Sequence, residues 1–382
     1  MAHIREVTRS TGIKYECRWV ANGKERQRTF SVKRDAERFA LKVEQDLADG
    51  ASTDALVSRG KTVAQVVEAS LAASRPRLKE STYAGYVHLY GMRVLPVFGR
   101  QRICSVTSEA VERWLAEMIG AGLSASTVHN HHVALNKVFR YAMRHRLIAY
   151  NPCDGVELPR LAAESDFAPV FLTAGEVEKI ASAMDSQSPF GTLIRFAAFS
   201  GLRSAEIAGL RVRDVNLSAG HIEVRQTVRR VSGEWAVGTP KSARSTRNVP
   251  LLNRGLIAEL RMLLLSHPDS GNPDALFWPA RAYSTHAADW TRPCDVGSIR
   301  RHAMAAVVEE LGMPPMRFHD LRHTYASLMF AAGFKPYEVS RWIGHASVAT
   351  TDSIYAHLYP SDYNEQIAVF EAFVTAGTLL QK

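Results

Sequence analysis

No two cysteines in this 382-residue sequence stand close enough to form a C-x-x-C pair; the four present, Cys17, Cys104, Cys153 and Cys294, are far apart. That argues against a disulfide framework or a cysteine-based zinc site and fits a reducing compartment. Long apolar runs are missing too. None approaches the roughly 18–20 residues a membrane helix needs, so no membrane partner is expected. The N-terminal stretch MAHIREVTRSTGIKYECRW holds no apolar core of a secretory leader, and a cytoplasmic protein is expected. Internal repeats and low-complexity segments are also lacking. Acidic residues are the scarcer charged class, 38 against 47 Lys and Arg, a formal net charge of +9 with pI about 9.4. The surplus favours a polyanionic partner only modestly, and a merely basic protein is an equal reading. With 46% hydrophobic and 22% charged residues there is ample material for packed cores, and the length suggests roughly two or three domains.

Three segments emerge along the chain. In GIKYECRWVANGKERQRTFSV two β-rich runs flank Asn22-Gly23, a dipeptide suited to a tight hairpin. KRDAERFALKVEQDLADG then shows helical spacing at Ala36, Phe39, Ala40 and Val43 and stops at Gly50. Arg18, Lys24, Arg26 and Arg28 lie in or beside these strands, as a solvated sheet face or as a sheet laid on DNA. A linker over residues 51–61 leads into a helical block ending near residue 148. Ser81 or Thr82 is a plausible cap for one helix and Ser126 for another. The second carries an apolar stripe at Val128, Ala134 or Leu135, Val138 and Phe139. His131, Lys137, Arg140 and Arg144 are spaced to face outward together, as a charged surface or as phosphate contacts. A proline-bearing stretch over residues 150–171 reads as a second linker. Thr173 and Glu176 then form a capping box that opens a mainly helical region, interrupted by strands with turns near Ser232-Gly233 and Pro240-Lys241.

RFHDLRHTYASLMFAAG, residues 317–333, sets His319 and His323 four apart with an acid between them, close to the H-E-x-x-H pattern of zinc proteases. Asp320 is shorter than the usual Glu, Arg322 would add a fixed positive charge beside a dication, and no third ligand stands at a defining spacing. The same region offers Arg203 in FAAFSGLRSAEIAGL, Lys241 in TPKSARSTRNVPL, and His345 and Tyr355 in EVSRWIGHASVATTDSIYAHL. Two arginines, a lysine, two histidines and a tyrosine together describe an oxyanion pocket with a nucleophile beside it.

In order and spacing, SGLRSAEIAGLRVRDV, TPKSARSTRNVPL, HDLRHTYASLMFAAG and WIGHASVATTDSIYAHL resemble the catalytic domain of the tyrosine recombinases, the phage integrase family, over residues 171–360. The helical block resembles the family's core-binding domain more loosely, and the first fifty or so residues its arm-type DNA-binding domain more loosely still. The resemblance implies a multidomain chain. Residues 1–55 would be an arm-type domain of a small three-stranded sheet and a helix, residues 60–150 an all-α core-binding domain, and residues 170–382 a mainly α catalytic domain with a small sheet, α+β overall. It implies a site-specific recombinase that cuts and rejoins DNA through a 3′-phosphotyrosine, with chemistry like that of type IB topoisomerases, to integrate or excise a mobile element. A dimer-resolving or transposon-type recombinase is the alternative. Arg203 and Arg322 would be the arginine pair, Lys241 the hairpin lysine, His319 and His345 the pocket histidines, Tyr355 the nucleophile and Glu206 a supporting acid. Trp342, Asp352 and Ser353 depart from the usual pattern without touching the chemistry. Neither cofactor nor metal is implied. The partners implied are double-stranded DNA at core-type and arm-type sites, three further copies of the chain in a synaptic tetramer, and accessory proteins that bend DNA or set direction.

Some readings stay open. His323 is better suited to orienting its neighbours than to chemistry. Tyr325, Tyr337, Tyr359 and Tyr363 rival Tyr355 by composition alone. Arg247 is equally a phosphate contact or a solvated or structural residue. The tail YNEQIAVFEAFVTA, with Ile367, Val369, Phe370 and Phe373, suits a helix docked in a groove, on its own domain or on a neighbour.

Overall fold

A computed structural model describes residues 2–9, 12–21, 24–48, 60–160, 169–239, 246–282, 285, 287–344 and 364–379. Residues 1–166 and 167–382 form two compact units.

In the first unit β1 (His3–Arg9), β2 (Gly12–Ala21) and β3 (Lys24–Phe30) build an antiparallel sheet in that order, and α1 (Lys33–Ala48) follows. β2 and β3 pair up to Ala21 and Lys24, the residues that flank Asn22-Gly23. Strand side chains alternate between faces, so register decides which basic residues act together. Cys17 and Trp19 pack on Ala40 and Val43 of α1. Arg28 pairs in register with Cys17 and Arg26 with Trp19, which puts both on the helix side. There the Arg28 guanidinium sits 5.3 Å and 5.0 Å from the ring centres of Phe30 and Phe39. Arg18 belongs to the opposite face and is paired with Glu16 at 3.3 Å and Glu25 at 3.8 Å. The basic residues expected to act as one group are therefore split between faces. Arg5 and Lys14, not singled out from the sequence, share the Arg18 face. The side chain of Lys24 lies outside the described residues.

The helical part of the first unit comprises α2 (Val63–Ser74), α3 (Glu80–Leu89), α4 (Ser108–Gly120) and α5 (Ala125–Arg144). A π turn, Tyr90–Val94, extends α3 toward Phe98. The core gathers Val66, Tyr90, Phe98, Trp114, Leu135 and Phe139. Two helix starts differ from expectation. Ser124, not Ser126, caps α5 by accepting the Thr127 N–H at 3.3 Å, because it is the residue with extended φ and ψ. α3 begins after Lys79 with no side-chain cap, so Ser81 and Thr82 fall inside its first turn.

The second unit opens with α6 (Ala174–Met184), whose Thr173–Glu176 capping box forms as expected. α7 (Phe190–Ser200) and α8 (Ser204–Ala208) follow. Phe190 and Phe196 are wholly buried, each contributing about 1.5–3 kcal/mol of hydrophobic stabilisation. Arg195 is buried in the same helix. It bridges Glu178 at 2.6 Å, Asp185 at 2.9 Å and Glu259 at 3.3 Å, tying α6 to α7 and to α9 (Arg254–Ser266). One sheet runs β4 (Val215–Asn216), β5 (His221–Val224), β8 (Arg247–Pro250); β6 (Thr227–Val231) and β7 (Glu234–Gly238) form a hairpin. Ser232 and Gly233, at φ 52° and 91°, make its turn, as expected. The strands on either side of residues 240–245 do not pair with each other: β7 pairs with β6, and β8 with β5. The Pro240-Lys241 turn itself lies outside the described residues. β9 (Pro279–Arg281) and β10 (Ala288–Pro293) form a second ribbon. A helical run over residues 296–310 leads to α10 (Asp320–Ala331) and α11 (Pro336–Ile343), and α12 (Asn364–Leu379) closes the chain.

Candidate active site

α7 ends because Gly201 adopts a left-handed conformation, φ 62°, with its N–H on the Ala197 carbonyl. A side chain there is barred twice: by that φ, and by the Tyr325 ring, 2.4 Å from where a Cβ would stand. The turn frees the Gly201 carbonyl to accept from Arg322 Nη1 at 2.6 Å. Arg322, in the first turn of α10, is only 3% exposed. A guanidinium so far removed from water is costly without such an acceptor, and it acts strongly on any charge brought beside it.

Two residues past Gly201, Arg203 starts α8. Its backbone N–H donates to Glu206 Oε2 at 2.9 Å, its Nη1 to Glu206 Oε1 at 2.9 Å, and its Nη2 to the Gly344 carbonyl at 2.9 Å. More than a third of its side chain remains exposed. Glu206 also takes both terminal nitrogens of Arg247, at 3.0 and 2.9 Å. Burial pushes the Glu206 carboxyl up, but the Arg247 hydrogen bonds and the charges of Arg247 and Arg203 outweigh it, so its pKa lies below the ordinary value. Glu206 is a buried anion shared by two cations.

His319 precedes α10, its ring centre 5.1 Å from that of His323 and nearly perpendicular to it. Its pKa is held down to about 4, chiefly by burial, then by His323, Arg322 and Arg317, with Asp320 opposing. The ring is therefore neutral at pH 7, able to donate from one nitrogen and accept at the other. His323 is lowered too, mainly by burial, and packs edge-on against Phe171. Asp320 is fully buried; it accepts the Arg317 N–H at 2.7 Å and the Arg317 guanidinium at 2.8 Å. An acid so engaged is not poised as the base a zinc protease needs.

Of the residues expected to meet here, Arg203, Glu206 and Arg322 are brought together around the Gly201 and Gly344 carbonyls, with His319 three residues before Arg322. Lys241, His345 and Tyr355 lie outside the described residues, as do Tyr359 and Tyr363. Gly344 is the chain neighbour of His345. Among the rival tyrosines, Tyr325 is wholly buried, and that burial pushes its hydroxyl pKa upward, which removes it as a nucleophile. Tyr337 is exposed on α11. Arg247, left open by the sequence, is 8% exposed and ion-paired, neither solvated nor presented to a phosphate. The signals for this arrangement were the glycines of SGLR and IGH, each standing just past a helix end.

In the first unit, His131 was expected on the outer face of α5. It is 5% exposed instead, its ring against Trp114, and its pKa is lowered mainly by burial. It belongs to the core because residues 131, 134 and 138 share one side of the helix. Arg140 and Arg144 are exposed. Lys137 is half-buried, with its ammonium 3.8 Å from the Tyr86 ring centre. Burial, then Arg77 and Arg144, lower its pKa. On α12, Ile367, Phe370, Phe373 and Val374 are exposed, Phe373 by 74%.

A buried guanidinium held on the Gly201 carbonyl, and a partly exposed one two residues past that glycine held on Glu206 and the Gly344 carbonyl, place two permanent positive charges near a neutral imidazole, an arrangement suited to an anion. Residues 170–362, just over half of the chain, match the model of the phage integrase family. The chain belongs to that family, the tyrosine recombinases, which cut and rejoin DNA. It is 25% identical over 310 residues to the ICEBs1 integrase of Bacillus subtilis, spanning 81% of this chain and 82% of that one. It is 25% identical to the transposase of transposon Tn916 from Enterococcus faecalis, over 82% of this chain and 78% of that one. Among solved structures, a Tn1549 transposon integrase fragment in complex with transposon right end DNA has a TM-score of 0.63 at 20% identity, covering 82% of this chain and all of that one. A lambda integrase tetramer bound to a Holliday junction has a TM-score of 0.56 at 18% identity, covering 91% and 94%. These likenesses establish the fold: a mixed helix and sheet catalytic unit, a helical core and a small N-terminal three-stranded sheet. No helix among the described residues is long and apolar enough to cross a membrane.

Proposed function

We propose that this enzyme integrates and excises a mobile DNA element, with Tyr355 as its nucleophile. The Tyr355 oxygen attacks a phosphodiester phosphorus as the bond to the 5′-oxygen breaks. The tyrosine loses its proton, the leaving oxygen gains one, and a 3′-phosphotyrosine holds the strand. A 5′-hydroxyl from a second duplex reverses the step, so no outside energy is consumed. The observation that supports this reading is that Arg322 is held on the Gly201 carbonyl, two residues before Arg203, while Arg203 itself reaches the Gly344 carbonyl at the root of the segment bearing His345 and Tyr355.

A tyrosine hydroxyl, with a pKa of about 10, is a weak nucleophile at neutral pH, so the transition state itself must be stabilised. Arg203 and Arg322 supply planar, permanent charge to the phosphoryl oxygens. His319 and His345 donate to the same oxygens and help move protons. Lys241, on the stretch between β7 and β8, protonates the leaving oxygen. Glu206 holds Arg203 and Arg247. The guanidiniums occupy the role of a metal, and neither metal nor cofactor takes part. Residues 1–55 are assigned to arm-type DNA through the Arg5, Lys14 and Arg18 face, residues 60–150 to core-type DNA through Lys137, Arg140 and Arg144, and residues 170–382 to catalysis. The enzyme acts in the cytoplasm of a bacterial host, with accessory proteins to bend DNA or set direction. The likeness to transposon enzymes favours a second reading, that the element is a transposon rather than a phage. The basic N-terminal sheet favours either over a simple dimer-resolving enzyme.

Adduct mapping tests the assignment. The full chain, incubated with a nicked core-site duplex from the ends of its own element, is expected to give a covalent product whose DNA-bearing peptide contains Tyr355. An adduct on Tyr337 or any other residue refutes it. The tail carries a further expectation. The exposed apolar residues of α12 suit a groove on a neighbouring copy when four assemble on two duplexes. Truncation after Ser361 is expected to leave single-site binding intact while weakening synapsis in native gels; unchanged recombination refutes it.

A further inference from the structure

We propose that Arg247 is a positioning residue that latches the end of α11 to Glu206, so that the segment beginning at His345 starts from a fixed point beside Arg203. All three faces of its guanidinium are engaged within the protein. Nε donates to the Trp342 carbonyl at 2.5 Å, while Nη1 and Nη2 donate to Glu206 at 3.0 and 2.9 Å. Arg203 meets the same carboxylate and, through Nη2, the Gly344 carbonyl at 2.9 Å. The carbonyls of Trp342 and Gly344 stand on either side of Ile343 at the C-terminal end of α11, where carbonyls lack helical partners and attract cations. Two guanidiniums held by one carboxylate thus grip one helix end. Gly344 completes the fit. Its φ is 74°, and a Cβ there would stand 2.9 Å from Arg247 Nε. Strand β8 gives the latch its rigidity, since Arg247 is paired in register with Val224 of β5.

The Arg247–Glu206 pair at the centre of the latch is turned away from solvent. Arg247 is 4% exposed at its side chain and Glu206 2%. Its contribution is to fix the end of α11, at Trp342 and Gly344, beside Arg203. The expected signature is a slower chemical step with unchanged affinity. Lysine offers one compact ammonium in place of a planar fork, so it cannot meet Glu206 and the Trp342 carbonyl as arginine does, and it restores the latch only in part.

The inference rests on Tyr355 as the nucleophile. In the full chain, Arg247→Met, Arg247→Lys and Gly344→Ala are compared with the parent. DNA affinity is read by gel shift, and the single-turnover rate of covalent product is read at saturating nicked duplex. Loss of a partner that orients a metal ligand costs about 10–100-fold, and by analogy that is the expected fall in rate for Arg247→Met, with affinity held and Arg247→Lys in between. Gly344→Ala keeps the buried ion pair but crowds the latch, so it carries the test should Arg247→Met fail to fold, and its rate should fall likewise. Parent-like rates in the folded variants, or rate losses matched by equal losses of affinity, overturn the latch. The assignment of Tyr355 fails separately, if the mapped adduct lies on another residue.

Discussion

Tyr355→Phe is expected to fold and bind DNA as the parent does and to yield no covalent product on a nicked suicide substrate. The change removes a single oxygen and leaves the ring in place. Tyr325 cannot substitute, because it is sealed in the core with its hydroxyl pKa raised by burial. The same assay on the parent enzyme is expected to proceed in excess EDTA, because permanent charge from Arg203 and Arg322 serves where a metal ion otherwise would. A persistent adduct in Tyr355→Phe would move the nucleophile elsewhere. Activity abolished by the chelator and restored by zinc would revive the metal reading of HDLRH.

Arg203→Ala, Arg322→Ala and Lys241→Ala are each expected to lower the covalent yield, by about 10²–10³ in rate, on the scale of losing one oxyanion donor. Their effects on stability should differ. Arg322→Ala leaves the Gly201 carbonyl without its donor in a buried place, at a cost of about 1–3 kcal/mol. Arg203→Ala removes one of the two cations on Glu206 and one of the ties to the end of α11, so it should lower the melting temperature as well as the rate. Lys241→Ala is expected to lower the rate with the melting temperature unchanged. The discriminating measurement is a substrate whose 5′ leaving group needs no proton, such as a 5′-bridging phosphorothioate. It should restore cleavage in Lys241→Ala and not in either arginine variant. Equal rescue of all three would remove Lys241 as the general acid.

Signals that act over a few residues were legible in the sequence. The Thr173–Glu176 box and the Ser232-Gly233 turn are decided by neighbouring backbone, and each stands where the sequence put it. The recombinase motifs were legible for a related reason: their order and spacing survive as text whatever the packing. Facing and burial were not legible, because they depend on residues far along the chain. Arg26 and Arg28 look like partners of Arg18 until register assigns alternate faces. His131 looks solvent-facing until Trp114 is brought against it. Arg195 lies within an apolar helix, and its acids come from residues 178, 185 and 259.

The sequence by itself thus determined the family and several of the local helix and turn signals, and it supplied the residues proposed to react. Only the tertiary structure decided that Glu206 serves two arginines, that Arg247 is buried and grips the end of α11, and that Arg322 reaches the Gly201 carbonyl. The physical reason is that a buried charge persists only where partners from distant segments offset the loss of water. Such partnerships, spanning 41 residues for Arg247 with Glu206 and 121 for Arg322 with Gly201, exist only once the chain has folded.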